Sequence, residues 1–359
     1  MLSIWERWVW NANSNFVLFF LLLLFSHLVY LILFRNSKAQ SKVGYIPLAL
    51  SMVAIVFFSA FNVSHVVTKL IGMEIIIIWL YLAANLIENY LNEDLSLSDG
   101  SLGLATGTWI LGTIFPLILF IEIAPTLYGF ILLQTLIVIF LLIIFFPLTL
   151  RWLKRYLKGL EVFDANIFLI VLNIQAVTIL LFDLMRESIP LIVYQSIILF
   201  GLFCYVVLFF VFVRTQIMSS KNLIKQFQVE YVLLYAALAL SGMAMINTHS
   251  YSEAVVTLIW AISAILFIII ETVDILRVFL LLRNRGRAAW SYHVAQWARP
   301  FAIAVMYAFS LAYYIPYATK PFIGYIVKYG QYIVIACFIL QALLYLQNVI
   351  QKPTAKKIK

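Results

Sequence analysis

The side chains best suited to chemistry in this sequence are few and far apart. His27, His65, His249 and His293 stand singly, none with a cysteine or a second histidine at ligand spacing, so no metal site is expected. Cys204 and Cys337 both fall in apolar runs, where a thiol behaves as a small hydrophobe, and a disulfide framework is not expected either. The carboxylates are more informative. Glu74, Glu122, Asp183, Glu230, Glu271 and Asp274 lie within or beside apolar runs, where an ionisable group is costly and often functional. Glu122, Asp183 and Glu230 fall near run ends and can reach water. Glu271, Asp274 and Arg277 recur every three residues on one helical face, which points to mutual pairing. Glu74 is the candidate for proton coupling, although it falls within one turn of the start of its run. No recognisable nucleophile-and-base motif, no paired His/Glu motif and no acidic cluster of the intramembrane-protease kind occurs. We therefore expect no catalytic residue, no cofactor and no enzyme.

The elements that must position these residues follow from composition. The chain has 359 residues, 65% hydrophobic and 11% charged, against about half and a quarter in ordinary soluble domains. A bilayer core of about 30 Å needs roughly 20 mostly apolar residues per helix, and runs of that length recur along the chain. They are too long and too uniformly apolar for the alternating strands of a barrel, so the expected fold is an all-α polytopic membrane protein. Breaks at charged, Pro and Asn/Ser clusters predict about eleven transmembrane helices, near 15–34, 45–62, 71–91, 102–123, 126–150, 165–184, 189–213, 230–247, 254–282, 299–317 and 322–349. Residues 1–42 then hold an extra span and a basic loop, 43–350 a ten-helix pore domain, and 351–359 a Lys-rich tail. The first run is preceded by Trp5, Glu6, Arg7, Trp8 and Trp10 and followed by Arg35, Lys38 and Lys42, the reverse of a cleaved signal peptide.

Alternating the loops between two sides divides the 24 Lys and Arg residues nineteen to five. The rich side, which includes Arg151, Lys154, Arg155, Arg277, Arg283, Arg299 and the tail, is expected in the cytoplasm, with the amino terminus outside and the carboxyl terminus inside the cell membrane. The formal net charge of +9 is then a basic cytoplasmic face against the lipid bilayer, and no nucleic-acid partner is needed to explain it.

Alternate spans also differ in kind. The second, fourth, sixth, eighth and tenth carry small and polar residues: Ser51, Ser59 and Asn62; Thr106, Thr108 and Thr113; Asn173, Gln175 and Thr178; Ser241, Gly242 and Asn247; Tyr307 and Ser310. Those between them are apolar all round, as in LIVIFLLIIFF from Leu136. Fully apolar helices face lipid, whereas small and polar residues face other helices or a water-filled path. The arrangement expected is an inner ring of five helices within an outer ring. Ser51, Ser59, Thr106, Thr108, Thr113, Asn173, Gln175, Ser241, Asn247, Tyr307 and Ser310 are the pore-lining candidates.

The run YHVAQWARPFAI, Tyr292 to Ile303, resembles the start of the ninth helix in the tellurite-resistance and C4-dicarboxylate transporters, relatives of the plant slow anion channels. Tyr292, Trp297 and Phe301 keep that family's spacing, while its Phe-Pro is Phe301-Ala302 here, with proline at Pro300. LFGLFCYVVLFFVFVRT, from Leu199, and NIFLIVLNIQAVTILL, from Asn166, resemble neighbouring helices of the family. The resemblance implies ten helices in five hairpins, the first helix of each lining a central pore, a homotrimer, and Phe301 as an aromatic gate. It implies a channel or carrier for a small anion, such as a dicarboxylate, tellurite, sulfite, halide or nitrate, with Arg299 at the cytoplasmic mouth. A non-catalytic membrane subunit or scaffold is the alternative, and a membrane-embedded enzyme a more distant one.

Overall fold

The computed structural model describes residues 21–24, 26, 41–61, 63–91, 100–125, 127–159, 163–185, 188–218, 227–285, 292–317 and 321–351. Most of the expected span at 15–34, the basic loop before residue 41, Asn62 and the tail from residue 352 lie outside the described residues. Among the described residues from 41 onward ten α-helices follow one another: α1 Tyr45–Phe61, α2 His65–Leu91, α3 Gly100–Ile123, α4 Tyr128–Leu157, α5 Leu169–Met185, α6 Leu191–Phe212, α7 Leu233–Asn247, α8 Glu253–Arg285, α9 Ala298–Tyr314 and α10 Pro321–Gln351. No strand occurs among the described residues. Four of these helices are entered through one turn of 3₁₀-helix, at Ser41–Gly44, Ala165–Phe168, Val229–Val232 and Val294–Trp297.

Nine helices among the described residues are long and apolar enough to cross a membrane. The stretch through α9 is not one of them, because Arg299, Pro300 and its tyrosines lower its apolarity. The helices alternate in burial. The most apolar stretches of α3 and α7 are 89% and 83% buried, whereas those of α4, α6, α8 and α10 are 17%, 28%, 22% and 11% buried. Odd-numbered helices thus carry the interior and even-numbered ones present Ile, Leu and Phe outward, among them Phe140, Phe203, Ile268 and Leu343.

The chain divides into two compact units, residues 1–147 and 148–359, with the division inside α4 after Pro147. In the first unit α1 and its 3₁₀ turn pack on α3. The approach is close enough that a Cβ on Gly44 would lie 2.5 Å from Thr108 Oγ1, so only glycine fits there. Ala54, Ile75, Ile76, Leu119, Phe120 and Ile123 join α1, α2 and α3 in one apolar cluster. Phe130 at the start of α4 closes on Phe120, ring centroids 4.8 Å apart.

In the second unit α7 is central and packs against α5, α6, α8 and α9. The sequence of α7, rich in alanine, permits this, since small side chains let helix backbones approach closely. Gly242 marks the tightest point, where an added Cβ would lie 2.0 Å from the Phe309 ring of α9. α5 lies on α6 through Phe168, Gln175 and Phe182, a stripe at seven-residue spacing that meets Tyr205, Gly201 and Tyr194.

Candidate functional site

The polar residues of the odd-numbered helices divide by where their hydrogen bonds go. Ser51 donates to Pro47 O at 2.7 Å, Thr108 to Ala105 O at 2.7 Å and Ser241 to Ala237 O at 2.8 Å, each satisfied within its own helix. Ser59 does the same with Ile55 O at 2.8 Å and is exposed. Thr106 and Asn247 are half-buried.

A second group binds neighbouring helices. Thr113 donates to Trp109 O and accepts from the Trp79 indole of α2 at 3.1 Å. Gln175 Nε2 donates to Ile198 O of α6 at 3.2 Å, and Tyr307 Oη donates to Val327 O of α10 at 2.9 Å. Ser310 donates to Met306 O and accepts from Trp260 Nε1 of α8 at 3.0 Å. These side chains join a buried helix to an exposed one, and a hydrogen bond between helices in hydrocarbon is worth roughly 0.6–2 kcal/mol. Asn173 belongs to neither group. It is 1% exposed, and neither Nδ2 nor Oδ1 has a hydrogen-bond partner.

Arg299 sits two residues into α9 and does not stand alone. Its Nε donates to Glu271 Oε2 at 3.0 Å, a second guanidinium nitrogen reaches the same oxygen, and Nη1 lies 2.8 Å from Asp274 Oδ2. Tyr235 of α7 donates to Glu271 Oε1 at 3.0 Å, and Arg277 Nε donates to Asp274 Oδ1 at 2.9 Å. Arg277 also lies over the Phe227 ring, 5.2 Å from its centroid. The expected Glu271–Asp274–Arg277 row thus becomes a cluster of two carboxylates and two guanidiniums that ties α7, α8 and α9 together. Its formal charges cancel, so the Arg299 charge is met by carboxylates within the protein.

Tyr292 and Trp297 form the next layer. The Trp297 indole donates to Tyr292 Oη at 3.0 Å, and both rings pack edge-on against Tyr345 of α10. Burial pushes the Tyr292 phenol up to about 12, outweighing the indole bond, which acts in the opposite direction. Phe301, one turn beyond Trp297, has no exposed surface.

Glu74 lies deeper than its apolar run indicates, because α2 begins at His65, nine residues earlier. The Ser26 hydroxyl lies 2.9 Å from Glu74 Oε1 and 2.7 Å from Oε2, which brings one described residue of the N-terminal segment against α2. Among the described residues no group of three His, Cys, Asp or Glu side chains is placed to hold a metal ion.

The tie between Arg299 and Glu271 spans 28 residues, and the sequence signals it only as a cation and a carboxylate that each lie in a long apolar setting. Compared with protein-family models, curated proteins and solved structures, the chain matches none of them significantly.

Proposed function

We propose that this chain carries a small anion across the cell membrane, along the buried odd-numbered helices. In this reading it has eleven spans, an N-terminal one added to five helical hairpins, with the amino terminus outside and the carboxyl terminus in the cytoplasm. The observation that supports it is that α3 and α7, which carry small and polar residues, are 89% and 83% buried over their apolar stretches, while those of the more apolar α4, α6 and α8 are 17%, 28% and 22% buried. Small and polar residues on buried helices suit a path through the interior, as they also suit close helix packing.

Phe301 is read as the gate, an aromatic ring large enough to occlude a narrow apolar passage. The spacing of Tyr292, Trp297 and Phe301, with its likeness to the tellurite-resistance and dicarboxylate transporters, supports that role and a homotrimeric assembly. Arg299 is better read as an anchor for α9 than as a free charge at the mouth, given its two carboxylate partners.

A non-catalytic membrane subunit is the second reading. It is favoured by Thr113, Gln175, Tyr307 and Ser310, whose hydrogen bonds go to neighbouring helices. The two readings separate in liposomes holding the purified protein alone, loaded in turn with nitrate, chloride, sulfite and malate. The carrier reading expects flux of at least one anion without any partner, and no flux from well-folded protein would favour the subunit.

A further inference from the structure

Asn173 differs from the other polar residues of the buried helices in having no hydrogen bond at either end of its amide. It lies eight residues in from Ala165 and twelve from Met185, near the middle of the α5 span. No lipid headgroup or interfacial water reaches that depth, and an unsatisfied amide in hydrocarbon is among the costlier groups a helix can carry. Leu172 and Ile179 are buried in the same helix, so burial alone does not require an asparagine.

The direction it faces follows from its neighbour. Gln175 is turned toward α6, where its amide bonds Ile198 O and its side chain fills the space over Gly201. Phe168 and Phe182 mark the same side through Tyr205 and Tyr194. Two residues along an α-helix are about 200° apart, so Asn173 points away from α6. The side chain is therefore buried near the middle of the span and turned from α6, with two donor hydrogens and an acceptor uncommitted.

We infer that Asn173 is a binding residue for the permeating anion at the midpoint of the second unit. The assignment rests on the anion-carrier reading above and names a contact within it. Nδ2 donates to the anion, and Oδ1 accepts from a water molecule or a protonated oxygen that the anion brings with it, so both ends of the amide are satisfied together. A neutral amide suits this task better than a cation, because it lowers the desolvation cost of a passing ion without holding it. Ser51, Thr108 and Ser241 are less suited, since each hydroxyl proton is already committed to a helix carbonyl.

The test compares wild type, Asn173→Leu and Phe301→Ala in liposomes, measuring nitrate and chloride flux together with the thermal midpoint of each purified protein. A hydrogen bond to a charged partner is lost, so Asn173→Leu is expected to reduce anion flux at least tenfold and to change the nitrate-to-chloride ratio. Its midpoint should hold or rise, because a buried unsatisfied group has been removed. Should leucine prevent folding, Asn173→Ala, smaller than asparagine, carries the same flux expectation. Wild-type flux and an unchanged ion ratio in a folded Asn173 variant would overturn this assignment while leaving the carrier reading intact. Absence of flux from both wild type and Phe301→Ala would overturn the carrier reading and the assignment with it.

Discussion

Replacing Arg299 by alanine removes the cation that two buried carboxylates share. Glu271 loses the donor at Oε2 but keeps Tyr235 at Oε1, and Asp274 loses its partner at Oδ2 but keeps Arg277 at Oδ1. Four charges that cancelled become three, with one negative charge in excess. Breaking a buried ion pair from one side costs about 3–5 kcal/mol, since the remaining charge stays desolvated. The surviving donors and the 27% exposure of the Arg299 side chain place this case lower, at about 2–3 kcal/mol. At about 2–4 °C per kcal/mol, the scale for a soluble domain of some 200 residues, the midpoint in detergent should fall by roughly 5–10 °C. Neutralising one charge of each sign, with Glu271→Gln and Arg299→Met together, should recover most of that loss, because the remaining Asp274 and Arg277 still balance. An unchanged midpoint in Arg299→Ala, or a double variant as unstable as the single one, would refute the anchoring argument.

Phe301→Ala is expected to raise anion flux in liposomes by a large factor if the ring occludes a passage. As an ordinary packing residue it would instead lower stability and leave flux flat or reduced. Gly242→Val should destabilise the protein strongly, since its first added carbon would lie 2.0 Å from the Phe309 ring; a thermal midpoint equal to wild type would contradict the packing of α7 on α9. A cysteine introduced near Lys357 should be labelled by an impermeant reagent only after the cytoplasmic side is opened, and one near Ser14 from outside; labelling of both from one side would mean the span count is wrong by one.

The helices themselves were legible in the sequence, because their signal is a run of apolar residues long enough to be read without periodicity. The expected spans at 165–184 and 230–247 lie within a residue of the helices taken with their entry turns, and 45–62 lies within a residue of α1 itself. α2 begins six residues before the expected start at 71 and takes in His65 and Lys69, with Lys69 buried within the helix. Side-chain destinations were less accessible. Asn173 and Gln175 look alike in sequence, yet one turns toward α6 and the other away, a distinction set by the register of α5 against Gly201. Arg299 carried the signature of a charge at a membrane boundary, and only the packing of α9 against α8 brings Glu271 and Asp274 to it. The Trp297–Tyr292 hydrogen bond and the packing of both rings on Tyr345 fix α9 against α10, and neither supports nor opposes the likeness drawn from that stretch.

The 3₁₀ entry turns have a consequence for the thickness of membrane this protein can match. The fifteen residues of α7 reach only about 22 Å as α-helix, short of a hydrocarbon core of about 30 Å. The four residues Val229–Val232 are wound more tightly and rise about 2.0 Å each, adding about 8 Å and bringing the element to about 30 Å. α5 and α9, at seventeen residues each, gain the same extension. Outer helices such as α8, with thirty-three residues, exceed the core and must tilt or project from it. The buried helices therefore match the core by changing their winding and the exposed ones by their inclination, so a thinner or thicker bilayer would act first on the outer helices.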